Sequence, residues 1–156
     1  MLFQRILFPT DFSDISKKAA DYVLRLKDAG AQEVIILHVI DMGAMLAPAS
    51  PAFFGAVGTT PALTQDAIDE WRESATEESG RLADRFEEAG LSARATVEMG
   101  DPADVVLRTA AAEDVSLIVL GATGKGHLAE LVLGSVSDEV IRKSHRPVLV
   151  VKPDGV

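Results

Sequence analysis

Apolar residues in this chain gather into two kinds of run that alternate along its length. Short, continuous and largely β-branched stretches occur at residues 5–8 (Arg5-Ile-Leu-Phe8, stopped by Pro9), 34–40, 117–120 and 148–151. They are too short and too evenly apolar for amphipathic helices, so they read as strands, the first of them buried on both faces. A further strand is predicted where Ala93, Ala95 and Val97 alternate with Arg94, Thr96 and Glu98; its wetter face suits a position near a sheet edge. Between these strands the spacing changes to that of a helical face. Ile15, Ala19, Tyr22, Val23 and Leu26 form one such face, with Ser13 placed to cap it and Gly30 to end it. From Leu63, the positions Ile68, Trp71, Ala75, Leu82, Phe86 and Ala89 sustain another for about seven turns, closed by Gly90. Asp101-Pro102 supplies a cap and a first-turn proline for a third helix running through Val106 and Ala110. Residues 135–143 form the fourth.

Five strands alternating with four helices imply right-handed crossovers and an open parallel sheet covered on both faces, an α/β, Rossmann-like architecture. Residues 1–156 are expected to form one domain, since no repeat and no second core is visible. Residues 41–62 break the alternation. Pro48, Pro51 and Pro61, with glycines and Phe53-Phe54, mark a long flexible connection.

Composition narrows the function classes. The net charge of −9 predicts repulsion from nucleic-acid phosphates and anionic lipid, and no apolar run approaches a membrane span. The absence of cysteine removes disulfides, thiolate metal sites and cysteine nucleophiles, and is compatible with a reducing cytoplasm. The first nine residues read as a strand rather than as a leader.

In an open parallel sheet, ligands bind at the carboxyl ends of the strands where the strand order reverses. Strand one ends in Pro9-Thr10-Asp11, strand two in Val39-Ile40-Asp41, and strand four runs into Gly121-Ala-Thr-Gly124-Lys125-Gly126 and on to Gly134-Ser135-Val136-Ser137. Glycines in such a loop let backbone amides approach an anion, the start of the fourth helix would direct partial positive charge at it, and Ser135 and Ser137 can add hydroxyl donors. The same residues also admit a purely structural role, in which the glycines make turns and Ser135 caps the helix with Asp138 completing a capping box. Lys125 can neutralise phosphate charge or simply be solvated. Thr10 and Ser13 flank Asp11 and can orient it, although Ser13 also suits a cap. The Gly-Lys-Ser/Thr phosphate loop is absent because Gly126 follows Lys125, and the glycine pattern at 124–129 lacks the acidic partner of a dinucleotide fingerprint. No Gly-x-Ser-x-Gly motif is present. His38, His127 and His145 lie far apart without metal-ligand spacing, and His38 reads as a satisfied sheet residue. A phosphoryl receiver module shows similar alternation, but strand one carries no acidic cluster and strand three ends in Glu98-Met-Gly100 rather than an acceptor aspartate.

The spacing Gly121-x2-Gly124-x9-Gly134-Ser135, with Pro9-Thr10-Asp11 after strand one and Arg146-Pro147-Val-Leu-Val150 near the end, resembles the universal stress protein family over essentially the whole chain. The resemblance implies strand order 3-2-1-4-5. It implies that Gly121, Gly124, Gly134 and Ser135 hold nucleotide phosphates and ribose, that Asp11 contacts adenine or its surroundings, and that Val39 lines the adenine pocket. It also implies ATP, or AMP or ADP, as ligand, with Mg2+ or Mn2+ on the phosphates, and a homodimer paired through residues 148–151. The expected site is therefore Pro9, Thr10, Asp11, Val39, Gly121, Gly124, Lys125, Gly134, Ser135, Val136 and Ser137. The expected function is that of a nucleotide-responsive stress regulator with an unidentified protein partner, working by conformational change. Two alternatives stand beside it: a dimeric scaffold with a vestigial site, and a slow ATPase or self-phosphorylating protein.

Overall fold

The computed structural model describes residues 2–43, 64–123 and 133–154. Five parallel strands form one sheet: β1 (Arg5–Pro9), β2 (Glu33–Asp41), β3 (Ser92–Gly100), β4 (Leu117–Gly121) and β5 (Val148–Val151), in the order β3-β2-β1-β4-β5. Four α-helices alternate with them among the described residues: α1 (Asp14–Leu26), α2 (Gln65–Glu88), α3 (Pro102–Ala112) and α4 (Ser135–Lys143). The strand order agrees with the one implied by resemblance, and β3 lies at an edge, as its alternation predicts.

β1 is central because Ile6, Leu7 and Phe8 are apolar on both faces and fully buried. Leu7 sits in register with Ile35 of β2 and Ile118 of β4. The two-residue period of the strands divides the core. Ile6, Phe8, Val34, Ile36 and Val119 meet Ala19, Val23 and Phe86, which puts α1 and α2 on one face. Leu7, Ile35, Leu37, Ile118 and Leu120 meet Val106, Ala110 and Val140, which puts α3 and α4 on the other. Phe8 and Phe86 pack edge to face with ring centroids 6.0 Å apart.

The helix ends follow the capping residues. Ser13 Oγ accepts from Ser16 N at 3.3 Å, Thr64 Oγ1 from Ala67 N at 3.2 Å, and the Asp101 carboxylate from Asp104 N at 3.0 Å. After α1 a short 3-10 turn, Lys27–Ala29, ends at Gly30, whose φ of 102° needs a residue without a Cβ. α4 departs from the capping-box expectation. Its N-cap is Gly134, with no side-chain cap; Ser135 is already helical, and the Asp138 carboxylate pairs instead with Arg142 at 3.0 Å.

Two residues assigned to buried helical faces are exposed. Tyr22 lies at the rim of α1 with the Arg25 guanidinium 5.6 Å from its ring centroid. Trp71 is 43% exposed, because the burial of α2 is concentrated further along, at Ala75, Ser79 and Phe86. Leu63, His127 and most of the 41–62 connection lie outside the described residues.

Candidate functional site

The connection after β1 leads to β2 on one side, whereas β4 joins β1 on the other, so the strand order reverses beside β1. At the carboxyl ends of β1, β2 and β4 a cleft of about 340 Å³ opens on the face covered by α3 and α4. This is the size and place expected of a small-molecule site in such a sheet. Leu37, Val39, Val106 and Leu120 give it an apolar wall, while Asp11, Asp41, Thr123 and Ser135 bring polar groups to it.

Each polar wall is built by local bonding. The carboxylate of Asp11 accepts from Ser13 N at 3.0 Å and from Ser16 Oγ at 2.8 Å, so the start of α1 fixes its orientation. Thr10 is held three times. Its amide donates to the Leu37 carbonyl at 2.9 Å, its Oγ1 accepts from Phe12 N at 3.1 Å, and its carbonyl accepts from His38 Nδ1 at 2.8 Å. A carbonyl can only accept, so Nδ1 of His38 carries the hydrogen, which makes His38 the satisfied sheet residue that its apolar strand predicts. Phe12 follows with φ of 62°, a left-handed conformation that costs a non-glycine residue of order 1 kcal/mol or more, and its ring stacks on His38 at 4.7 Å.

The opposite wall is the junction of β4 with α4. Ser137 Oγ donates to the Gly121 carbonyl at 2.7 Å, and Gly134 N donates to the Ala122 carbonyl at 2.8 Å. The first turn of α4 is thereby set against the end of β4, with Ser135 and Val136 at the cleft. Gly134 supplies no side-chain cap, so among the described residues no side chain caps the first-turn amides of α4, and a helix start of this kind suits water or an anion. Gly121 has a structural reason of its own. A Cβ there would stand 2.6 Å from Ile15 Cγ2, so glycine is what lets α1 pack against β4. Ser137, expected as a donor to a ligand, gives its hydrogen to Gly121; Ser135, exposed at the helix start, keeps that possibility.

Pro9, Thr10, Asp11, Val39, Gly121, Gly134, Ser135, Val136 and Ser137 line this one cleft, whereas Gly124 and Lys125 lie outside the described residues. The expected site did not include Asp41, Thr123, Leu37, Leu120, Ser16, Pro102 or Val106, which also line the cleft. Asp41 and Thr123 had a usable signal, since each stands at or just past a strand's carboxyl end. Leu37 shares the face of Val39 two residues on, a placement that follows only once that face is known to be the ligand's.

Comparison with known proteins identifies the family and agrees with the fold. The model of the universal stress protein family matches residues 2–152. Universal stress protein MJ0577 of Methanocaldococcus jannaschii is 33% identical, with 97% of this chain and 96% of that protein covered. Its solved structure superposes with a TM-score of 0.83 at 32% identity over 100% of both chains. Universal stress protein YxiE of Bacillus subtilis is 34% identical, over 97% of this chain and 100% of the relative. A universal stress protein solved in complex with cAMP matches with a TM-score of 0.62 at 25% identity, covering 97% of this chain and 98% of that one. With its sheet order, its cleft between β1 and β4 and a family match over nearly its full length, this chain belongs to the universal stress protein family.

Proposed function

We propose that the protein binds an adenine nucleotide, ATP first among them, in the cleft between β1, β2 and β4, and that occupancy regulates what it presents to a protein partner. The observation that carries this reading is the uncapped start of α4 at the cleft. The first turn of α4 offers backbone donors and a positive dipole end to phosphate, Ser135 adds a hydroxyl, and Val39 with Leu37 offers an apolar surface to a base. Asp11, oriented by Ser13 and Ser16, accepts hydrogen bonds from base or ribose. A family member bound to cAMP lends support to adenine nucleotide as the ligand class. Gly124 and Lys125 are assigned to the same phosphates by their place in the glycine spacing. Mg2+ or Mn2+ is assigned to the phosphates rather than to a protein cage. Among the described residues, no group of three or more His, Asp or Glu side chains is placed to hold a metal.

Regulation requires that the ligand favour one conformation over another. The residues poised to respond are those joining β4 to α4, where Gly134 and Ser137 are bonded to Ala122 and Gly121. We assign dimerisation to β5, an edge strand with the apolar sequence Val-Leu-Val-Val, since a bare apolar edge invites pairing. Amide hydrogen exchange with and without Mg–ATP tests the reading. Slower exchange at residues 134–137 and around Asp11 is expected, and exchange unchanged there at saturating ATP would contradict it.

A scaffold role is the second reading, favoured by the structural uses of Gly121 and Ser137. It predicts a stable dimer that ignores nucleotide.

A further inference from the structure

A second groove, of about 440 Å³, opens on the other face of the sheet, beneath the amino-terminal half of α2. His38 and Ile40 line it from β2, whereas Leu37 faces the cleft and Val39 borders both. Trp71 and Glu78 enter from α2, and Asp11 and Phe12 form the wall toward β1, with Asp41 at the end of β2.

This groove combines flat rings with negative charge. Phe12 and His38 stack at 4.7 Å with their planes 24° apart. Trp71, the one tryptophan of the chain, is 43% exposed although it sits on the side of α2 that lines the groove. Glu78 brings a carboxylate to it, Asp11, held by Ser13 and Ser16, and Asp41 add negative charge at its wall, and no lysine or arginine lines the groove among the described residues. The nearby cations Lys17, Arg81 and Arg85 line a separate groove that also borders Phe12 and Glu78. Ring faces beside carboxylates attract a cation both through the aromatic quadrupole and through charge. A guanidinium suits this site better than an ammonium, because it is planar, weakly hydrated, stacks on rings and meets a carboxylate through two parallel hydrogen bonds. The net charge of −9 steers a basic segment toward the molecule.

We propose that this groove receives an arginine side chain from a protein partner, with its guanidinium against the aromatic rings and its charge met by Glu78. The proposal stands independently of nucleotide binding, although Asp11, Val39 and Asp41 border both sites.

Because Trp71 is the only tryptophan, its fluorescence reports the groove directly. The probes are acetyl-Gly-Arg-Gly amide and its lysine and citrulline counterparts, titrated into the full-length protein. A saturable change with the arginine peptide, a weaker one with lysine and none with the uncharged citrulline isostere are expected. Glu78→Gln, checked for folding by circular dichroism, should weaken the arginine peptide by roughly fivefold. Trp71→Leu, followed by calorimetry, should weaken it as well. No saturable response, equal responses to arginine and to lysine or citrulline, or unchanged affinity in both variants would overturn the proposal.

Discussion

Ser137 Oγ donates to the carbonyl of Gly121 at 2.7 Å, joining the first turn of α4 to the last residue of β4. With the bond from Gly134 N to the Ala122 carbonyl, it fixes the helix start at the edge of the cleft before any ligand arrives. Donors held in place in this way lose little freedom on binding, the general advantage of a preorganised site.

The two serines of this turn should therefore separate stability from binding. Ser137 is 4% exposed, and Ser137→Ala deletes its bond to Gly121, so it should lower unfolding free energy by about 1–2 kcal/mol in urea denaturation. Ser135 is exposed and lies inside the helix, past the N-cap Gly134. Ser135→Ala should leave stability within about 0.5 kcal/mol while weakening ATP severalfold by calorimetry. The reverse pattern would assign the binding hydroxyl to Ser137.

Gly134 adopts φ −63° and ψ 159°, a backbone conformation open to any residue. Gly134→Val should consequently fold, with a small loss of helix-start stability, yet its side chain would intrude where an anion meets the first-turn amides. ATP affinity should fall by about tenfold or more, equivalent to about 1.4 kcal/mol. Unchanged affinity in a folded variant would remove the phosphate role of this turn.

Within α2, Ser79 is fully buried and its hydroxyl has no hydrogen-bond partner among the described residues, while a Cβ added to the neighbouring Gly80 would meet none of them within 4 Å. Ser79→Ala relieves an unsatisfied polar group and should stabilise by about 1 kcal/mol. Gly80→Ala removes backbone freedom from the unfolded chain and should add about 0.5–1 kcal/mol. Chemical denaturation of the single and double variants checks both, and a destabilised Ser79→Ala would mean that this hydroxyl finds a partner in solution.

Asp11→Asn distinguishes a binding protein from an enzyme. The amide oxygen of asparagine can still accept from Ser13 N and Ser16 Oγ, so the loop should persist. Wild-type protein incubated with Mg–ATP is expected to release phosphate no faster than is metabolically negligible, and the variant no differently. Appreciable release that depends on Asp11 would favour the slow ATPase alternative.

The fold was legible because its signals are local and mutually consistent. The apolar Ile6-Leu7-Phe8 run reads as a strand buried on both faces, and Ser13, Gly30 and Asp101-Pro102 mark helix ends through bonds spanning a few residues. Trp71 was misplaced because periodicity reveals a helix's apolar stripe without showing where the helix outruns its support. At about 1.5 Å per residue, the 24 residues of α2 extend roughly 36 Å, and its buried residues lie between Ala75 and Phe86. Gly121 illustrates the corresponding gap at the site. The spacing motif marked it as a ligand glycine, whereas its contact with Ile15 joins residues more than a hundred positions apart and has no trace in local sequence. The strand ends pointed to the cleft, Asp41 and Thr123 among them, but which of those residues line it follows only from the sheet that brings the ends together.

Calorimetric titration of nucleotide-free protein with ATP and magnesium tests the central claim most directly. The account predicts saturable binding in the micromolar range, with about one nucleotide per chain, and a matching rise in thermal stability because ligand binds only the folded state. No heat and no stabilisation up to millimolar ATP would contradict it and leave the protein as a scaffold whose glycine motif serves the fold alone.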